Sequence, residues 1–391
     1  MTSENTKPMR FNSARLLVCE PGAIGRLGEI CADLSASRVF LVTDPGIIAA
    51  GLHEAALSSL SDAGLACSVF RDVQADPPED IVLNALDRAR AEKIDTVIGL
   101  GGGSSMDVAK LIAALCNSSQ ALSDAYGIGN LTGERLPLVQ IPTTAGTGAE
   151  VTPISIITTG ATTKSAVVAP QLLPDVALLD PELTLGLPPQ VTAATGIDAM
   201  VHAIEAFTSA THKNPYSDML ALQALKMMSA NIETAVHDGK DLKARTDMLL
   251  GSLLAGQAFA NAPVAAVNAL AYPLGGHFHI PHGLSNSLVL PHVLRFNYET
   301  SADSYETLAR AIMLGTGQGS ASDDAVTVSL PDYFEELMDR LNMPSRLREL
   351  NVPEDSLPML ARDAMQQQRL LVNNPREVSE QDALRIYEAA Y

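Results

Sequence analysis

Residues Asp95–Lys110 read DTVIGLGGGSSMDVAK. A short apolar run, Val97–Leu100, passes straight into three glycines and then into a helix-forming stretch that opens on two serines. A strand that feeds a helix through glycine predicts a parallel sheet, because the helix carries the chain back before the next strand runs in the same direction. The same turn suits an anion. Gly101, Gly102 and Gly103 allow close backbone approach, and the amides of Ser104 and Ser105 stand at a helix start with free N–H groups. Taken alone, the turn is equally an ordinary tight connection, since its spacing matches neither G-x-G-x-x-G nor a Walker loop.

On either side the β-α-β rhythm continues. RVFLVTD (Arg38–Asp44) reads as a strand, followed by a helical stretch to about Leu60. ACSVFRDV then reads as a second strand, and a helix runs from about Pro78 to Glu92. The apolar runs PLVQIPTT and VALLDP extend or flank the sheet. From about Pro188 the β-branched runs give way to Ala, Leu and Met at helical spacing, and the break falls in LGLPPQ, Leu185–Gln190. The expectation is an α/β domain over 1–188 and an all-α domain over 189–391.

Composition narrows the chemistry. The chain has 391 residues, 26 Lys+Arg against 45 Asp+Glu, and a net charge of −19. With 47% hydrophobic and only 18% charged residues it fills a core, which excludes a disordered chain. The acidic balance repels a polyanion, so no nucleic-acid partner is expected. Cys19, Cys31, Cys67 and Cys116 show no C-x-x-C spacing, consistent with a reducing cytoplasm. The polar start, MTSENTKPMR, is unlike a signal peptide. Met248–Gly276 carries no charged side chain, but its prolines, amides and glycines predict buried helices around a site and no membrane partner. A small-molecule substrate is the leading class.

Three further segments carry chemistry. IPTTAGTGAE, Ile141–Glu150, is a second strand-to-turn segment, with hydroxyls at Thr143, Thr144 and Thr147. Two Gly/Ser/Thr loops on one sheet argue for a dinucleotide over coincidence. In VTDPG, Asp44 ends a strand where a carboxylate accepts hydrogen bonds from a ribose 2′-OH and repels a 2′-phosphate, favouring NAD over NADP. Helix N-capping is an equal reading of that residue. In GIDAMVHAIEAF, Asp198 and His202 are four apart on one helix face. Three of the eight histidines, His277, His279 and His282, lie in the single segment YPLGGHFHIPHG. With Asp198 and His202 they offer an N/O site for a divalent ion.

Together GGGSSMDVAK, TTAGTGAE, GIDAMVHAIEAF and PHGLSNSLVLPHVLRFN resemble the iron-containing (group III) alcohol dehydrogenase family, from about Phe11 to the C-terminus. The resemblance implies the fold shared with dehydroquinate synthase: a Rossmann-like parallel-sheet domain, a C-terminal helical domain and an active site in the cleft between them. It implies NAD-dependent interconversion of an alcohol with an aldehyde or ketone, assisted by Fe²⁺ or Zn²⁺, in a cytoplasmic homodimer.

By position it assigns Asp198, His202 and His282 as metal ligands. Asn268 stands where the family has a fourth, histidine ligand, and an amide oxygen is a weaker, harder donor. Tyr272 stands where the family has another histidine, so Tyr272 or His277 is left to relay the proton. The cofactor set is Asp44 at the ribose, Gly101, Gly102, Gly103, Ser104 and Ser105 at the pyrophosphate together with Asp107, and Thr143, Thr144 and Thr147 toward the nicotinamide. The family's P-N-P turn reads Ala75-Asp76-Pro77-Pro78, Phe259 is expected to wall the substrate pocket, and Lys164, in the hairpin-like stretch TTGATTKSAV, is read as solvated in preference to facing the cleft. Rival readings are a hydroxyacid–oxoacid transhydrogenase or oxoacid reductase, a lyase with transient NAD redox, which the arginine-poor loop disfavours, and a metal-free NAD-binding relative.

Overall fold

The computed structural model describes residues 9–160, 163–318 and 329–391. Among them the strands are β1 (Leu16–Cys19), β2 (Arg38–Val42), β3 (Ala66–Phe70), β4 (Thr96–Gly101), β5 (Gly127–Ile128), β6 (Leu138–Pro142), β7 (Ile154–Thr159), β8 (Thr163–Val168) and β9 (Val176–Leu179). Six of them form one sheet in the order β1-β9-β6-β4-β2-β3. Every pairing in it is parallel. β4 and β6 lie near the centre with every residue buried, which is why both read as near-continuous apolar runs without alternation. Separate apolar clusters cover the two faces of this sheet.

The register decides where ligands sit. Gly101 lies opposite Pro142 on the neighbouring strand, and the amide of Thr143 donates to the carbonyl of Gly101 at 3.0 Å. The glycine loop and the threonine loop therefore leave the sheet side by side at its carboxyl edge. Helix α1 (Gly103–Leu115) follows the first loop. The second leads to a smaller sheet, β5-β8-β7, whose antiparallel arms β7 and β8 are the hairpin that TTGATTKSAV suggested.

Beyond Pro189 the elements are helical. They include α2 (Pro189–Thr208), α3 (Pro215–His237), α4 (Leu242–Asn261), α5 (Ala266–Phe278) and α6 (His282–Thr316), gathered around one large apolar cluster. α2 begins at Pro189, since proline at the first helical position has no amide to leave unbonded. The uncharged segment Met248–Gly276 spans the end of α4 and most of α5, which are bent by 105° to each other. No single described helix is long and apolar enough to cross a membrane.

Two local expectations are corrected. The single helix to Leu60 is two, Pro45–Ala49 and Glu54–Asp62, divided at Gly51, whose φ of 71° ends the first turn. β1 was not expected, because LLVC is four residues long with mostly exposed side chains. It is a strand through its pairing with β9.

Candidate active site

A cleft of about 220 Å³ opens where the carboxyl edge of the large sheet faces the helices. Gly103, Ser104, Asp107 and Thr147 line it from the sheet side, and Asp198, His202, Phe259, Asn268, Tyr272 and His282 from the helical side.

On the sheet side the glycine loop is a cradle that side chains would fill. Gly101 has φ 149°, and a Cβ there would stand 2.7 Å from Ser105 Oγ and 3.1 Å from Asp44 Oδ2. A Cβ on Gly103 would press on Thr147 at 3.0 Å. α1 starts after Gly102 with no side-chain cap, so its first amides keep their hydrogen-bonding capacity for an anion. The residues present fit a dinucleotide pyrophosphate.

Asp44 bonds through both of its oxygens within the protein. Oδ1 caps the helix at Pro45, accepting from Gly46 N at 2.8 Å and Ile47 N at 3.0 Å, while Oδ2 accepts from Ser105 Oγ at 3.2 Å. Ser105 is therefore turned toward Asp44 and buried. Thr143 is buried beneath the loop, and neither it nor Thr144 is among the residues lining the cleft. Asp107 accepts from Ile156 N at 2.9 Å and pairs with buried Lys110, which also donates to Thr152 Oγ1 at 3.1 Å and to the Ile154 carbonyl at 2.6 Å. Burial pushes the Asp107 carboxyl up and the Lys110 ammonium down, their mutual attraction opposing both shifts. The pair ties α1 to the small sheet.

On the helical side, ligand atoms of Asp198, His202 and His282 lie within 4.8 Å of one another. Asp198 and His202 project from one face of α2, four residues apart, and His282 opens α6. Asp198 Oδ1 is 3.7 Å from His202 Nε2 and 3.8 Å from His282 Nε2, and Asn268 Oδ1 is 3.1 Å from His282 Nε2. Four donors each about 2.1 Å from a tetrahedral ion stand about 3.4 Å from one another. The set therefore fits a small divalent cation with two nitrogen and two oxygen donors. Burial pushes the His282 imidazolium down despite Asp198, which favours the neutral ring a ligand needs. Phe259 lines the cleft and packs on the His202 ring at 4.5 Å between centroids.

Two members of this cluster escaped the sequence reading. The Asn286 amide donates to Asp198 Oδ1 at 2.5 Å and lies 3.2 Å from His282 Nε2. Buried Glu205 accepts from Asn268 Nδ2 at 2.8 Å. Both had a spacing signal: Glu205 continues the 198–202 face by three residues, and Asn286 follows His282 by four.

Two sequence readings are corrected. His277 is not among the residues lining the cleft, and its Nε2 is 2.6 Å from Asp363 Oδ2, so it is not placed to relay a proton there. Tyr272 lines the cleft, its ring centroid 5.6 Å from that of His282, and burial pushes its phenol up. Lys164, read as solvated, lines the cleft and pairs with Asp76 of the Ala75–Pro78 turn. That ion pair joins the hairpin to the loop after β3. Arg369, also unanticipated, lies beside Tyr272.

Known proteins share this architecture. A family model for iron-containing alcohol dehydrogenase matches residues 14–181, and one for the C-terminal part of the Fe-containing alcohol dehydrogenase family matches 192–391. Long-chain-alcohol dehydrogenase 1 of Geobacillus thermodenitrificans is 42% identical over 376 residues, covering 95% of this chain and 93% of that protein. The crystal structure of a 1,3-propanediol oxidoreductase superposes with a TM-score of 0.91 at 33% identity, over 98% of this chain and all of the other (100%). Sulfoacetaldehyde reductase from Bifidobacterium kashiwanohense, solved in complex with NAD⁺, superposes with a TM-score of 0.87 at 28% identity, over 98% and 99% of the two chains. With both halves matched and the Asp–His–His group in place, this chain belongs to the iron-containing alcohol dehydrogenase family.

Proposed function

We propose that the cleft interconverts an alcohol with its aldehyde or ketone by hydride transfer to or from NAD. The observation that carries this reading is the convergence of Asp198, His202, His282 and the Asn268 oxygen opposite the open start of α1, across one cleft. Of the two absent groups, NAD supplies the hydride acceptor or donor, and a divalent ion, Fe²⁺ or Zn²⁺, supplies Lewis-acid polarisation of the substrate oxygen.

The chain's own side chains do the rest. Gly101, Gly102, Gly103 and Ser104 receive the pyrophosphate on backbone N–H groups, with Asp107 bracing α1 beneath them. Asp44 excludes a 2′-phosphate, and Thr147 faces the nicotinamide half, with Thr143 and Thr144 shaping the loop that carries it. Phe259 and Val264 give the substrate carbon an apolar wall. Tyr272, in the cleft with its ring beside His282, supplies the proton to the oxygen of an aldehyde being reduced. The balance is one hydride and one proton added to the carbonyl, or removed from the alcohol.

We propose the α/β and helical regions, 1–188 and 189–391, as the two units that hold cofactor and metal. We also propose a homodimer in the cytoplasm. The four described cysteines are unpaired. Among the described residues β1 is an edge strand, pairing only with β9, and exposes Leu16 at 46% and Leu17 at 40%; such an edge invites pairing with a second copy. Light scattering on the wild type and on Leu17→Lys checks the dimer, which the substitution should weaken.

The activity is tested with purified protein, NADH and a panel of aldehydes, before and after chelation and re-addition of Fe²⁺ or Zn²⁺. Turnover that is lost with the metal and restored by it supports the reading, and Asp198→Ala should abolish it. Metal-independent turnover would remove the ion from the reaction.

A further inference from the structure

The start of α5 is unusual. Its capping position is Ala265, which has no side chain to satisfy the first amides of the helix. Glu205, from the neighbouring α2, does so instead: Oε2 accepts from Ala265 N at 2.9 Å and Oε1 from Val267 N at 2.7 Å. The same Oε2 accepts from the side-chain amide of Asn268 at 2.8 Å. All three partners of the carboxylate are donors.

This fixes which way Asn268 faces. The Glu205 oxygens already accept from two backbone N–H groups, so the NH₂ end of the amide turns to Glu205 and the carbonyl oxygen is left on the opposite side, 3.1 Å from His282 Nε2. Without that anchor only the longer bond from Asn286 Nδ2 to Asn268 Oδ1, 3.4 Å, would favour the oxygen end, and an NH₂ group is no ligand. Drawing the amide N–H toward the Glu205 oxygen also raises electron density on the amide's own oxygen, as carboxylates behind metal-bound histidines raise ligand basicity. Asn268 and Glu205 are 2% and 3% exposed, so water does not compete for either bond.

We infer that Glu205 is a positioning residue that makes the Asn268 amide oxygen the fourth donor of the metal site, in place of an imidazole. The inference rests on the metal-dependent reading above.

The test is a double-mutant cycle read as metal affinity, by competing Zn²⁺ or Co²⁺ against a chromophoric chelator, together with the visible spectrum of the Co²⁺-loaded protein, which reports the donor set. Glu205→Gln places an amide against an amide and lets Asn268 turn. It should lower affinity about 10-fold or more and change the Co²⁺ spectrum in the same way as Asn268→Ala. In the Asn268→Ala background, Glu205→Gln should then change affinity less than about 2-fold, because its effect runs through Asn268. An equal loss in both backgrounds would make Glu205 a helix cap and nothing more, overturning the proposal. So would an unchanged affinity in Glu205→Gln or in Asn268→Ala. If Glu205→Gln fails to fold, Glu205→Asp keeps both accepting oxygens but withdraws them by one methylene, and the same cycle should show a smaller coupled loss. A wild type that binds metal and reduces aldehydes while the cycle shows no coupling overturns the positioning role alone; a wild type that binds no ion overturns both.

Discussion

Gly148 and Gly256 meet backbone to backbone: a Cβ on Gly148 would stand 2.5 Å from the Cα of Gly256, and one on Gly256 would stand 2.9 Å from the Cα of Gly148. Gly148 follows the threonine loop with φ 60°, and Gly256 sits within α4. The contact joins the sheet to the helices beside the cleft.

Gly256→Ala sets two effects against each other. Helix propensity favours alanine by about 1 kcal/mol. The new methyl would also lie 2.8 Å from Val151 Cγ2 and 3.0 Å from the Gly148 carbonyl oxygen, and overpacking against backbone costs about 1–3 kcal/mol. The clash should win. The expected outcome is a lower Tm by differential scanning calorimetry and a raised KM for NADH; a Tm above wild type would show that the seam has room to give.

Tyr272 and His277 separate by position. Tyr272→Phe keeps the ring beside His282 and removes the proton, so kcat for aldehyde reduction should fall about 10- to 100-fold with KM nearly unchanged. His277→Ala removes only the contact with Asp363 and should leave kcat within about 2-fold. Steady-state kinetics in the reducing direction decide, and the reverse ranking would return the proton to His277.

Asp44 allows charge and cap to be tested apart. Asparagine caps a helix about as well as aspartate, so Asp44→Asn should change stability by less than about 1 kcal/mol while losing the repulsion of a 2′-phosphate. The ratio of kcat/KM for NADPH to that for NADH should rise at least about 10-fold. An unchanged ratio would leave Asp44 as a cap only.

Glu150 predicts a slope with pH. It is buried, Oε1 has no hydrogen-bond partner, and burial pushes its carboxyl up to about 7 from an ordinary 4.5. The folded protein then holds a proton that the unfolded chain has released between about pH 4.5 and 7, so stability falls as pH rises through this window. The contribution is on the order of 3 kcal/mol. Urea unfolding from pH 5 to 8 should show a shallower decline in Glu150→Gln than in wild type; parallel curves would mean that Glu150 is ionised in the fold.

The parallel sheet was legible because β2, β4, β6 and β9 are buried runs that need no partner to be recognised, and because Gly101–Gly103 mark where one of them ends. β1 was not, since four exposed residues become a strand only against β9. At the site, Asp198, His202 and His282 could be named from spacing and resemblance together. Glu205 was passed over because a carboxylate in a helix ordinarily faces solvent, and only the packing of α5 on α2 shows that it is buried. His277 and Lys164 were misplaced for a related reason: sequence gives neighbours along a chain, and the side to which a residue turns depends on Asp363 and Asp76, 86 and 88 positions away.

The proposed ligands Asp198, His202, Asn268 and His282 all come from helices beyond Pro189, and the dinucleotide loops all come from strands before it. The gap across which a hydride must jump is thus a dimension of neither half. It is a clearance, set where Gly148 and Gly256 touch, and a substitution at that joint can detune the reaction without altering any side chain that would hold either ligand.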